Sequence, residues 1–162
     1  MTDRNTPRII GIGNRLRGDD ALGPLAADRL REQLGDRVVV LTHESDASGL
    51  LHLWEGAEEV ILIDAWHGPP PCGELHRIEL AREMPPAHAC ASSTHVLDLL
   101  QVVALARQLE RLPAHVVLYG VAGRAFGIGD AMSPEVAARL EELVAHIVEE
   151  VSMPRAKRGK EE

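Results

Sequence analysis

Two adjacent carboxylates, Asp19 and Asp20, a third at Asp64 and an imidazole at His95 are the side chains of this chain whose types and settings point to chemistry. Two carboxylates and one imidazole form an oxygen, oxygen, nitrogen donor set. Such a set suits a divalent cation of borderline softness. Three protein donors leave positions open for water or for ligands brought by a partner. Asp19 and Asp20 stand at a strand-to-helix turn, where free backbone N–H groups favour negative charge. One acid is enough to cap a helix; Asp19 is assigned that task, which leaves Asp20 for another. Asp64 closes the apolar run Val60-Ile61-Leu62-Ile63 and is either a turn former or a site acid. His95 follows Ser92-Ser93-Thr94 and opens a helical pattern. There the helix dipole disfavours imidazolium, and neutral imidazole is the form that binds a metal. His67, close after Asp64, is the best rival ligand. Glu44 and Asp46 read as loop acids or as supporting partners of the site.

These residues can meet only if the elements between them bring them to one place. Arg8–Gly13, Arg37–Thr42, Glu59–Asp64 and His115–Val121 each hold a continuous β-branched or aliphatic run. Such runs suit strands covered on both faces, as in a parallel sheet. Glu74–Glu79 alternates charged and apolar residues and suits an edge strand. Helical periods fall between: Leu22, Leu25, Ala26, Leu30 and Leu34; the shorter Leu50, Leu51 and Trp54; Val96, Leu99, Leu100, Val103 and Ala106; and Val136, Leu140, Leu143, Val144, Ile147 and Val151. Ser133 and Pro134 mark the start of the last helix. The order predicts an α/β fold: a three-layer α/β/α sandwich around a twisted, mostly parallel five-stranded sheet with one antiparallel edge strand. In such sheets ligands bind beyond the carboxyl ends of the strands. Asp20 and Asp64 fall at that edge, and the loop Leu80–Thr94 is long enough to return the chain there and turn His95 towards them.

Length favours one domain over residues 1–152, with 153–162 expected as a charged, disordered tail. Aromatics make up only 2% of the chain, so the core must be aliphatic. The net charge of −8 argues against a nucleic-acid groove and against docking on anionic membrane. No apolar run reaches the ~18 residues of a membrane span, and no secretory signal is visible. Two cysteines without a Cys-x-x-Cys pair read as reduced thiols of a cytoplasmic protein.

Gly11 and Gly13 raise the possibility of a nucleotide-binding α/β module. The third glycine of a dinucleotide fingerprint would fall at position 16, where a leucine stands. No Gly-x-Ser-x-Gly elbow and no His-Glu-x-x-His zinc motif is present.

Around these residues the sequence resembles the hydrogenase maturation endopeptidases, which process the large subunit of nickel–iron hydrogenases. The matching stretches are Gly11-Ile12-Gly13-Asn14-Arg15-Leu16-Arg17-Gly18-Asp19-Asp20-Ala21-Leu22-Gly23, then Ile63-Asp64-Ala65, and Ser92-Ser93-Thr94-His95. Val116–Gly120 and the helix after Ser133-Pro134 fit as well. The resemblance implies metal-contacting and catalytic roles for Asp20, Asp64 and His95. It implies a metal-dependent, aspartyl-type endopeptidase that removes the C-terminal extension of the large-subunit precursor. The nickel is carried by that substrate, and no nucleotide is needed. A monomer is expected. A non-catalytic chaperone that senses the metal of the immature subunit is the alternative. One stretch departs from the family: Glu44-Ser45-Asp46-Ala47-Ser48-Gly49 stands where many members have an Asp-Gly-Gly-Thr-like sequence. That loop is expected to shape the cleft, which implies a cognate hydrogenase unlike the best-known ones.

Overall fold

The structure, a computed structural model, describes residues 3–44, 47–68, 71–83 and 94–158. Five strands form one sheet: β1 (Arg8–Ile12), β2 (Val39–His43), β3 (Glu59–His67), β4 (Leu75–Glu79) and β5 (His115–Gly123). Their spatial order is β2-β1-β3-β5-β4, parallel except for β4, which runs antiparallel to β5 at one edge. Among the described residues the α-helices are α1 (Leu22–Leu34), α2 (Leu50–Leu53), α3 (Thr94–Gln108) and α4 (Pro134–Ser152), the last of which follows β5.

Strand alternation divides the core into two layers. Ile10, Val60, Leu62, Trp66, Val116 and Leu118 face α2 and α3, where they meet Leu50, Trp54, Val96 and Leu99. Ile9, Ile61, Ile63, Val117 and Tyr119 face α1 and α4, where they meet Leu22, Leu30, Val136 and Leu143. This is the three-layer arrangement expected from the order of the runs. Strands covered on both faces carry little but aliphatic residues because either side of the pleat is dry.

Two boundaries differ from the sequence reading in ways that matter for function. β3 does not stop at Asp64 but continues through Ala65, Trp66 and His67, in register with Val121, Ala122 and Gly123 of β5. An acid normally ends an apolar run; here the ladder with β5 carries the strand past it. The tail is the second difference. Far from being solvated throughout, residues 155–157 form a 3-10 turn. Arg155 donates to the Glu58 carboxylate at 2.7 Å, and Arg158 reaches Glu59 at the buried start of β3. A composition rule reads such a stretch as tail because the acids that hold it lie 97 and 99 residues away in sequence.

On the α4 side a buried acid ties helix to sheet. Glu150 of α4 accepts two bonds from the Arg77 guanidinium, at 3.0 and 2.5 Å, and one from the Tyr119 hydroxyl. Burial pushes its pKa up, but Arg77 and Tyr119 outweigh that and hold it below the ordinary carboxylate value. Burial and the Glu150 carboxylate both push the Tyr119 phenol upward. A carboxylate with a depressed pKa stabilises the fold above its unfolded pKa, and that stability is lost as pH falls through the folded value. Glu150→Gln is therefore expected to cost about 2 kcal/mol at neutral pH, the scale of hydrogen bonds to a charged group. The cost should shrink in acid, below the ordinary carboxylate range. Urea unfolding of both proteins at pH 7 and at acid pH measures it, and a pH-independent difference would refute the linkage.

Candidate active site at the carboxyl edge of the sheet

The pairing of β1 with β3 ends at Gly11 and Ile63, and β3 runs on alone on that side. Asp64 is the first residue past this end, so its position is both inside a strand and at the carboxyl edge of the neighbouring one. Its side chain shares the face of Leu62 and Trp66, and it is buried. Across β5 its register partner is Gly120. A side chain at Gly120 would put its Cβ 1.7 Å from the Trp66 ring, so the glycine is what lets the indole lie beside Asp64.

Asp20 arrives from the other direction. After β1 the chain turns through Asn14–Arg17 into a 3-10 turn, Gly18–Ala21, whose four residues are all buried. The Asn14 backbone N–H donates to the Asp20 carboxylate at 2.8 Å. The glycines of the motif serve this approach. A Cβ on Gly13, whose φ is 136°, would lie 1.9 Å from the Asp20 carbonyl oxygen, and one on Gly11 would lie 2.2 Å from that of Gly23. The room the glycine pair opens at the end of β1 is thus filled by the chain's own backbone from Asp20 to Gly23. The pair needs no bound nucleotide to account for it.

The two carboxyl groups interact. Burial raises the pKa of Asp64 well above the ordinary range, the charge of Asp20 raises it further, and a bond from the Ala65 N–H at 2.9 Å only partly opposes them. Two acids that are costly to ionise side by side become easy to ionise next to a cation. Such a pair can also hold or release a proton.

His95 is the second residue of α3, immediately before Val96, which is buried in the layer that Asp64 faces. Topology therefore brings its backbone to the side of the sheet that Asp64 faces. Its side chain lies outside the described residues, as do Ser92, Ser93 and Asp46. His67 is excluded from the acid pair by parity: it lies three residues after Asp64, on the opposite face of β3. It is exposed there, with its ring 5.7 Å from that of Phe126. Glu44 is exposed and acts through charge on Arg15. Among the described residues no group of three or more His, Cys, Asp or Glu side chains is close enough to hold a metal.

Asp19 has a different task from the one its position suggested. It does not cap its own helix. Its carboxylate instead accepts the backbone N–H groups of Arg124 (2.8 Å), Ala125 (2.9 Å) and Ser133 (2.6 Å), and the Ser133 hydroxyl (2.8 Å). Burial raises its pKa, and these bonds outweigh it, for a net shift below the ordinary value. The turn that carries Asp20 is thereby clamped to the loop between β5 and α4. Ser133 does precede α4, but its side chain is spent on Asp19 and not on the helix. The only sequence signal for this clamp was the doubling of the acid, which shows that one of the two is spare and not where it goes.

Comparison with known proteins identifies the setting. Among the described residues no helix is long and apolar enough to cross a membrane. Among curated proteins none matches the chain. The chain is similar to the NiFe hydrogenase maturation protease HycI of Thermococcus kodakarensis, with 29% identity and a TM-score of 0.67 over 90% of this chain and 91% of that one. It is also similar to the hydrogenase 2 maturation peptidase of a Thaumarchaeota archaeon, with 26% identity and a TM-score of 0.65 over 93% and 100%. The E. coli hydrogenase maturating endopeptidase HybD, at 22% identity, shares the fold over 88% of this chain and 90% of its own, with a TM-score of 0.69. The sequence model of the HycI hydrogenase maturation proteases matches residues 26–150, which takes in Asp64 and position 95 and begins just after Asp20. A match of that extent establishes membership: this chain belongs to the hydrogenase maturation protease family.

Proposed function

We propose that this protease cuts the C-terminal extension from the large-subunit precursor of a nickel–iron hydrogenase, and that it recognises the precursor through the nickel the precursor already carries. The observation that carries the proposal is the meeting of Asp20 and Asp64, buried and electrostatically coupled, beyond the end of β1. Two carboxylates fit a divalent cation, and the imidazole of His95 would complete a three-donor set. In this reading Asp20, Asp64 and His95 take up vacant positions on the substrate's metal. The scissile peptide is thereby held against the site, and much of the rate comes from that positioning. Water adds across the peptide bond: its oxygen goes to the carbonyl carbon, the C–N bond breaks, and the proton passes to the departing amine. A metal-polarised carbonyl or a metal-bound water serves this step. In this reading one of the two acids, once ionised, accepts the water's proton. On the same reading the protein needs no resident metal, works as a monomer and acts in the cytoplasm.

The test is to mix the purified protein with precursor prepared with and without nickel and to follow the C-terminal peptide by mass spectrometry. Release from the nickel-loaded form alone is expected. Equal cleavage of both forms would overturn recognition through the metal. Stable complex formation with no cleavage would favour a chaperone.

A further inference from the structure

Two large aliphatic side chains stand out in solvent on turns joined to the loop that carries Asp20: Leu16 is 70% exposed and Ile128 is 75% exposed. Both sit on hydrogen-bonded turns. In the first, the Arg17 N–H donates to the Asn14 carbonyl at 3.2 Å and the Leu16 N–H to the Asn14 side chain at 2.8 Å. In the second, the Asp130 N–H donates to the Gly127 carbonyl at 3.1 Å, the Gly127 N–H donates to the Asp130 carboxylate at 2.8 Å, and Gly129 takes a φ of 84°. The turn chemistry belongs to Asn14, Gly127, Gly129 and Asp130. Neither turn requires an aliphatic residue at its tip.

The two turns form one unit. The Gly129 N–H donates to the Leu16 carbonyl at 2.8 Å, and the Asp19 N–H to the Ala125 carbonyl at 2.7 Å, beside the four bonds to the Asp19 carboxylate. Asp20 belongs to the same unit through its bond from Asn14. Asp20 lies four positions after Leu16, so the two are within about 14 Å of each other.

We propose that Leu16 and Ile128 form a preformed apolar lip that docks the folded hydrogenase precursor beside the acid pair. The inference rests on the function proposed above. Leu16 lies four positions before Asp20 and its turn is hydrogen-bonded to that of Ile128, so a protein substrate whose scissile bond reaches Asp20 passes close to the lip. Apolar side chains already fixed on pinned turns lose little conformational freedom when a partner covers them. The occupant is therefore an apolar patch of the precursor next to its C-terminal segment. The lip contributes to holding the substrate and takes no part in bond breaking.

The experiment is steady-state processing of the nickel-loaded precursor by Leu16→Ser/Ile128→Ser, with Leu105→Ser/Leu109→Ser as control. Leu105 and Leu109 are the other exposed large aliphatic residues among those described; Leu105 lies in the last turn of α3 and Leu109 directly after its end. The lip variant should raise KM about tenfold, the scale of losing two aliphatic contacts with a partner. Its kcat should stay within about twofold, since the groups that act on the peptide bond are untouched. Its melting temperature should be unchanged, because both side chains are exposed. An unchanged KM, or an equal rise in the control, would overturn the proposal. If the wild-type protein leaves the precursor uncut, it is the protease reading that fails. Direct titration of the precursor against the same variants then decides the lip by itself: tenfold weaker binding of the lip variant supports it, and equal binding refutes it.

Discussion

Asp64→Asn is expected to stop precursor processing while leaving the protein folded. Burial and the neighbouring Asp20 already hold the Asp64 carboxyl towards its neutral form. Asparagine is nearly the same shape, is neutral, and keeps an oxygen for the Ala65 N–H, so stability should change little or rise. What it lacks is the ability to become a carboxylate when a cation or a proton transfer demands one. The loss in rate should be on the order of a thousandfold, the scale seen when a group that stabilises charge in the transition state is removed. Asp20→Asn should match it in activity, since the amide oxygen can still accept the Asn14 N–H. It should also let Asp64 ionise at lower pH, a change readable by carbon NMR of the carboxyl. His95→Ala is expected to give the same loss of processing. Initial rates of peptide release, with melting curves as the control for folding, measure all three. Any of the variants working within about tenfold of wild type would remove that residue from the chemistry.

Asp19→Ala should fail in the opposite way, through the fold. The substitution leaves three backbone N–H groups and one hydroxyl without their acceptor, two of them at the buried Ser133. Each orphaned buried donor costs about 1–3 kcal/mol, reduced where water can enter. A total of about 3–5 kcal/mol is expected, which corresponds to a melting temperature lower by roughly 10 °C at this chain length. Asp130→Ala, at an exposed turn, should cost far less. The wild-type contribution exists above the unfolded pKa of the carboxyl and disappears as pH falls through its depressed folded value, so the difference between wild type and Asp19→Ala should narrow in acid. Calorimetry at two pH values tests both points, and equal melting temperatures would show that the clamp does not hold the turn.

Asp19 and Asp20, neighbours in sequence, show where local rules stop: one is spent on the scaffold, and the other is the acid proposed for the chemistry. The doubled acid marked the loop as special, and the rule that ligands gather beyond the carboxyl ends of strands pointed to Asp20 and Asp64, two acids whose charges the fold brings within reach of each other. The same reasoning expected Asp19 to cap a helix. A carboxylate at a helix start satisfies the local donors in the absence of anything better; here the loop before α4 supplies four donors from more than a hundred residues away. The end of β3 was misjudged for a related reason. A charged residue terminates an apolar run by local criteria, yet the ladder to β5 continues for three more residues and decides the matter. Once β3 extends to His67, alternation puts that histidine on the face opposite to Asp64. Glu150 gave no sequence signal at all, because its partners Arg77 and Tyr119 lie on two strands that only the sheet brings together.

Amino-acid order alone therefore determined the element sequence, the mostly parallel sheet and the edge at which the acids gather, since these follow from short-range periodicity and from the fact that a run apolar on both faces must be buried. It determined the family resemblance as well. Tertiary structure alone decided that Asp19 braces the loop before α4, how far β3 extends, that the segment through Arg158 is anchored to Glu58 and Glu59, and that the turns of Leu16 and Ile128 are joined. Each of those depends on a donor, a charge or a neighbour supplied from a distant part of the chain, and pairwise contacts of that range leave no periodic trace in the residues between them.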